Sequence, residues 1–181
     1  MDIVKNAGKK ISISRLNENN LDLVIDFCSS VVEEVYSYHH EKDWAYDLDL
    51  LFKDGDPYSE INKGFFAVLM FESEIVGTAA IRSLSSASDI SFSMRDYFSN
   101  SNEVAIVNRV YIKKAFRGSG LGALAYNFIE RQALLLNYSL AYLSASKKPD
   151  SFSFWKKMNY EEFLSEDDKY MTSHMKKNLI I

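Results

Sequence analysis

The chain has 181 residues, 47% of them hydrophobic, and a formal charge of −4. It is long enough for one ordinary domain, for which about 100 to 200 residues suffice, and we expect a single domain over residues 1–181. The near balance of charge removes the broad positive field that phosphate-backbone binding draws on, so nucleic acid is not expected as a partner. Cys28 is the single cysteine, so no internal disulfide can form, and beside three histidines no second thiol exists to build a metal site.

The first residues, "MDIVKNAGKKISISR", carry charges where a secretory signal needs an apolar core. No apolar run approaches the roughly 18 residues of a membrane span. The expectation is a cytoplasmic protein, without metal and away from the membrane.

Along the chain, "KISISRL" (10–16) alternates Ile11 and Ile13 against Ser12 and Ser14, the period of a half-buried strand. Asn17 can cap a helix in which Leu21, Val24, Ile25, Cys28, Val31, Val32 and Val35 fall at helical spacing, ending near Tyr38. "WAYDLDLLF" (44–52) reads as a short second helix. "GFFAVLMFE" (64–72) and "EIVGTAAIRSL" (74–84) read as a hairpin, with Gly77 marking a bulge. Residues 85–102, rich in Ser, Asp and Asn, form a surface excursion with room for a helical turn at "SMRDYF". Then follow a buried strand at 103–112, a helix at 122–138, a strand at 140–146, a short helix at 151–159 and a closing strand pair at 160–164 and 170–179. The order is β α α β β β α β α β β, an α/β (α+β) class with a mixed sheet of about six to seven strands flanked by helices.

Three of the seven glycines sit in "RGSGLG" (117–122), between the buried strand and the helix. The first N–H groups of a helix have no intrahelical partner and lie at the positive end of its dipole. Gly118, Gly120 and Gly122 keep side chains out of the way while backbone N–H groups converge on one phosphate, and Arg117 can add a charged contact. The alternative is a plain tight turn. G-x-x-x-x-G-K-[ST] is absent, and no acidic ribose partner stands about 20 residues onward, so neither ATP nor NAD is favoured.

"VNRVYIKKAFRGSGLGALAYNFIERQA" (107–133) resembles the central motif of the GNAT superfamily of acyl-coenzyme A dependent N-acyltransferases: Arg or Gln, two residues, Gly, one residue, Gly or Ala. Here the stretch is Arg117, Gly118, Ser119, Gly120, Leu121, Gly122. "FWKKMNY" (154–160) resembles the family's Phe-Tyr-x-x-x-Gly-Phe segment, and "HMKKNL" (174–179) its final strand. The resemblance implies the GNAT fold, with acetyl-CoA as co-substrate. It puts the pyrophosphate on 117–123, from Arg117 through Leu121 and Gly122 to Ala123, the pantetheine arm along Val110, Tyr111 and Ile112, and the thioester near Trp155. It implies a strand that splays from 140–146, so that the thioester carbonyl lies near a backbone N–H able to support the oxyanion.

Three positions depart from the family's pattern. The tyrosine that often protonates the departing thiolate becomes Trp155, whose indole N–H does no acid work. An asparagine seven residues earlier becomes Lys148. The segment's glycine becomes Asn159, a residue that tolerates positive φ. Tyr160, Tyr142 and Ser153 are substitutes for the acid, and a thiol of pKa about 8.5 leaves fairly well unaided. Glu103, at the start of the strand before the loop, is the first candidate base, with His39 and His40 behind it. Of Asn108 and Arg109, strand alternation lets only one face the cleft. His174 reads as part of the closing strand and Cys28 as core.

In the family, the segment between the first two helices shapes the acceptor pocket, here about 36–62. Between residues 41 and 56 it holds six acids and two lysines, a local −4 equal to the charge of the whole chain. Tyr36, His40, Asp43, Trp44 and Asn108 are therefore candidates to bind a cationic amine by charge and ring face. The alternative is a solvated helix face. The reading is an N-acetyltransferase acting on a small amine, a polyamine or a peptide amine, as monomer or homodimer. Two rivals stand beside it. One is an acyltransferase fed by acyl carrier protein, faintly suggested by "SMRDYFSNSNEVAIVNRVYI" and needing a basic patch among Lys113, Lys114, Lys147 and Lys148. The other is a non-catalytic acyl-CoA binding or sensing module.

Overall fold

A computed structural model describes residues 2–6, 9–36, 46–166 and 172–180. The strands are β1 (Asp2–Asn6), β2 (Lys9–Arg15), β3 (Phe65–Phe71), β4 (Glu74–Ser83), β5 (Val104–Ile112), β6 (Leu140–Ser146), β7 (Glu161–Glu166) and β8 (Thr172–Asn178). Among the described residues they form one eight-stranded sheet in the order β1-β2-β3-β4-β5-β6-β8-β7. Every neighbouring pair is antiparallel except β5 and β6, which run parallel. The sheet thus has one strand more than expected. β1 pairs with β2 from Asp2↔Ile13 to Asn6↔Lys9, and its five residues, mixed in charge, are too short for alternation to announce them.

Helices α1 (Leu21–Tyr36), α2 (Tyr46–Asp49), α3 (Phe92–Tyr97), α4 (Leu121–Leu135) and α5 (Pro149–Lys157) flank the sheet. Asn17 caps as expected, although the turn it opens is a short 3-10 piece at Glu18–Asn20 that leads into α1. Strand alternation sorts the faces. Phe66, Val68 and Ala80 pack with Val24 and Cys28 of α1. Ala67, Leu69, Ala79 and Ile81 pack on the other face with Leu121, Ala125, Tyr126, Ile129 and Ala133 of α4. The expected helix at 44–52 is a single turn, α2, among the described residues. Gly77 does stand beside an irregularity in the β3–β4 register, and a Cβ there would lie 2.7 Å from Ile112 Cδ1 and 3.0 Å from the Tyr111 carbonyl oxygen. Only glycine lets β5 approach so closely.

Two features of β5 position the site. First, β5 and β6 pair only at Val104↔Leu140, Ala105↔Ala141 and Ile106↔Tyr142, then part. Second, the β4–β5 register runs Thr78↔Tyr111 but Ala80↔Asn108, so Arg109 and Val110 together oppose Ala79. This is a β-bulge, and Arg109 takes φ 53 to make it.

Candidate active site

Where β5 leaves β6 the sheet opens into a cleft of about 340 Å³, whose walls include Val107 to Tyr111 of β5, Tyr142 to Ser146 of β6, and Ser151 and Trp155 of α5. Beside it runs a groove of about 380 Å³ lined by Val110, Ile112, Arg117, Gly118, Gly120, Gly122, Ala123, Phe154, Lys157 and Met158. Val110 borders both, so groove and cleft meet at β5.

The groove gathers most of the residues expected for the donor. Gly118 (φ 76) and Gly120 (φ 88) adopt the left-handed conformation, with no atom within 4 Å of either missing Cβ. Their need for glycine is conformational rather than steric. The first backbone bond of α4 closes from Leu124 N–H to Gly120 O at 3.0 Å, so the N–H groups of Leu121, Gly122 and Ala123 lie ahead of it. Gly122 lets Phe154 close in: a Cβ there would meet the ring at 3.3 Å. Leu121 itself turns into the core, 5% exposed. Ser119 donates its hydroxyl back to the Phe116 carbonyl at 2.6 Å.

Arg117 lines the groove and also reaches α1. Its Nε donates to the Ile112 carbonyl at 2.9 Å, and its two terminal nitrogens grip the Glu34 carboxylate of α1 at 2.7 and 3.3 Å. In this conformation its charge is spent on α1. Lys157, three residues after Phe154 on α5, is a second cation that lines the groove beside Arg117 and the glycines, a spacing readable in "FWKKM".

On the α1 face of the cleft lies a buried polar cluster. Asp47, at the start of α2, accepts from Arg109 Nε at 3.1 Å and pairs with Arg109 Nη2 and the Tyr58 hydroxyl. Asn108 Nδ2 donates to the Tyr58 oxygen at 2.7 Å, and Arg109 Nη1 to the Tyr111 oxygen at 3.3 Å. Alternation thus fails here as a guide: the bulge turns Asn108 and Arg109 toward the same cluster. Burial, and then Asp47, push the Tyr58 phenol well above its ordinary pKa. Arg82 of β4 holds Asp89 through two bonds of 2.7 and 2.5 Å. Asp89 would be raised by its own burial, but the Arg82 guanidinium more than offsets this and keeps it below the usual carboxylate range.

Trp155 lines the cleft, 8% exposed, with its ring edge-on to Tyr126 at 5.6 Å and Tyr160 at 5.4 Å. Asn159, in the family's glycine position, has φ 64. Two catalytic candidates are placed elsewhere. Tyr160 is 1% exposed inside the main core, away from the cleft walls, and burial raises its phenol pKa. Glu103 precedes β5 at the closed end, where β5 and β6 are still paired, and accepts from Asn100 at 2.7 Å and Ser139 at 3.0 Å. The cleft opens toward the other end of the strand, where the resemblance put the pantetheine arm and the thioester. Tyr142 does border the cleft, its hydroxyl bonded to His174 Nδ1 at 2.8 Å. Ser153 is exposed and donates to the Asp150 carbonyl.

Of the acceptor-binding candidates, Asn108 lines the cleft and Tyr36 closes α1, while His40, Asp43 and Trp44, like His39, lie outside the described residues. Two acids of the run are buried and engaged, while Asp49 and Asp54 are exposed and Glu41 and Asp43 lie outside the described residues. Asp47 is taken by Arg109, and Asp56 accepts from the backbone N–H groups of Phe52 and Tyr58. Cys28 is core, as expected, with its thiol pushed up to about 12 by burial. Among the described residues no helix is long and apolar enough to cross a membrane, and no three His, Cys, Asp or Glu side chains converge as metal ligands.

Residues 26–160 match the family model of the acetyltransferase (GNAT) family, and the chain belongs to that family. Solved structures share the fold. An acetyltransferase of the GNAT family from Staphylococcus aureus Mu50 aligns with TM-score 0.71 at 18% identity, covering 94% of this chain and 99% of that one. An acetyltransferase from Streptococcus agalactiae 2603 aligns with TM-score 0.72 at 14% identity, covering 93% and 98%. The PaiA N-acetyltransferase from Thermoplasma acidophilum, solved in complex with coenzyme A, aligns with TM-score 0.68 at 18% identity, again covering 93% and 98%. No curated protein matches.

Proposed function

We propose that the protein moves an acetyl group from acetyl-CoA to a primary amine by direct attack in a ternary complex. The observation that carries this reading is the meeting, at Val110, of the glycine-lined groove with the cleft between β5 and β6. The pyrophosphate rests on the N–H groups that open α4, and the pantetheine arm follows β5 from Ile112 to Val110. The thioester then enters the cleft near Trp155. The amine nitrogen attacks the thioester carbonyl, the nitrogen of the tetrahedral adduct gives its extra proton to water, the C–S bond breaks to leave the amide, and CoA departs as a thiolate that takes up a proton from solvent. Holding donor and acceptor in one cleft is worth up to roughly 7 to 11 kcal/mol of the barrier when the alignment is good.

The neutral amine is the nucleophile, so its proton must leave first. The carboxylates that line the cleft, Asp47 and Asp89, are both held by arginines. Deprotonation is therefore assigned to water in the open cleft, and the rate should follow the free-base fraction of the amine. The acceptor is a small amine, a polyamine or a peptide amine, and the segment about 36–62 shapes its site.

Donation from acyl carrier protein finds less support, because three of its four lysines are engaged separately: Lys113 with Glu74, Lys147 with Ser165 and Lys148 with the Val35 carbonyl, while Lys114 is exposed. A non-catalytic acyl-CoA binding module draws support from Trp155 in the acid position. Thiol release from acetyl-CoA in the presence of putrescine, tyramine and lysine methyl ester separates the readings. Amine-dependent release supports transfer, and tight binding of acetyl-CoA without release supports the binding module.

A further inference from the structure

We infer that Asp47 is a positioning residue for acyl transfer: from the acceptor-side turn α2 it locks the β5 bulge at Arg109, and the bulge sets how the backbone of 109–111 meets the donor. This rests on the acetyl-transfer reading above.

Arg109 holds φ 53, a strained conformation for a residue with a side chain, which persists only where the surroundings enforce it. The surroundings here are specific. Asp47 grips the guanidinium from the acceptor side through two nitrogens, Nε and Nη2. Thr78 Oγ1, fully buried on β4, donates to the Arg109 carbonyl at 2.8 Å and fixes the other end of the residue. Tyr58 and Asn108 hold Asp47 and each other in place. Cleft-lining backbone at Arg109, Val110 and Tyr111 is thus aimed by a carboxylate 62 residues away in the chain. Asp47 is 5% exposed and already committed to Arg109, which suits a brace and not a docking point for a cationic amine.

Glycine reaches positive φ without strain. If the lock serves the bulge, Gly at 109 should supply the same backbone without the lock. The test compares the parent with Asp47→Asn, Asp47→Glu, and Asp47→Asn combined with Arg109→Gly, using acetyl-CoA and saturating tyramine. We expect Asp47→Asn to lower kcat at least tenfold, with tyramine KM and acetyl-CoA Kd within twofold of the parent. Asp47→Glu should recover part of the rate, and adding Arg109→Gly to Asp47→Asn should recover most of it. Hydrogen exchange over 104–112 should quicken in Asp47→Asn and slow again in the double variant, a readout that stands whether or not tyramine is acetylated. A parent without turnover, with the exchange pattern intact, would remove the acetyl-transfer reading and leave the lock. Unchanged exchange in Asp47→Asn, or a double variant no faster than the single one, would overturn the lock itself.

Discussion

Arg117 and Glu34 lie 83 residues apart in sequence, yet form a two-pronged ion pair that joins the loop before α4 to α1. The arginine expected to meet the donor's phosphates is thereby held by α1. Such a pair near the surface is worth about 0 to 1 kcal/mol, so releasing it should change affinity modestly. Glu34→Gln should tighten acetyl-CoA binding about two- to fivefold in calorimetry, and Arg117→Ala should weaken it. If Glu34→Gln leaves the affinity unchanged, Arg117 plays no part in donor binding and serves only to hold α1.

Gly120 heads α4 at φ 88 with open space around its missing Cβ. An L side chain there costs about 1 to 2 kcal/mol in backbone strain, and the loop should relax away from the geometry that gathers its N–H groups. Gly120→Val should lower acetyl-CoA affinity well beyond tenfold, measured by calorimetry on protein shown to be folded by circular dichroism. Parent-like affinity in the folded variant would remove the loop from donor binding.

Trp155 is built into the core beside Tyr126 and Tyr160 while its ring borders the cleft. Truncating a buried aromatic costs about 3 to 5 kcal/mol. Trp155→Ala should therefore lower Tm and turnover together, whereas Trp155→Phe should keep most of the turnover. Loss of turnover in both, with Tm preserved in the Phe variant, would give the indole N–H a chemical role.

The fold was legible where periodicity is local. The alternation of 140–146 matches β6 end to end, and the helical spacing of 122–138 overruns the end of α4 by three residues. The loop itself was legible because only glycine fits its backbone. The polar cluster beside the cleft was not, since its residues are brought together by long-range pairing. Asp47 and Arg109 are distant in sequence, and the bulge that brings Asn108 and Arg109 to one side breaks the alternation on which strand reading depends. Glu103 lies away from the cleft lining, at the end where β5 and β6 stay paired, and the point where they part is a property of the sheet, not of either strand alone.

The Arg82–Asp89 pair gives a pH dependence with a definite sign. Asp89 is held below its ordinary pKa in the folded state, so its contribution to stability is present above the unfolded value and is lost as pH falls through the folded one. Acid unfolding followed by circular dichroism should begin at higher pH than in Asp89→Asn when each variant is compared with its own stability at pH 7. Parallel acid limbs would mean that the pair contributes nothing to the pH dependence.

The central claim is that the cleft between β5 and β6 brings acetyl-CoA and an amine together for transfer. The most direct measurement is mass spectrometry of the amine alongside thiol release, with acetyl-CoA and the amine panel at pH 8. We expect one acetylated amine for each thiol released, at a rate that follows the free-base fraction of the amine and falls in Gly120→Val. Thiol release that ignores the amine, or none at all while acetyl-CoA is bound, would contradict it.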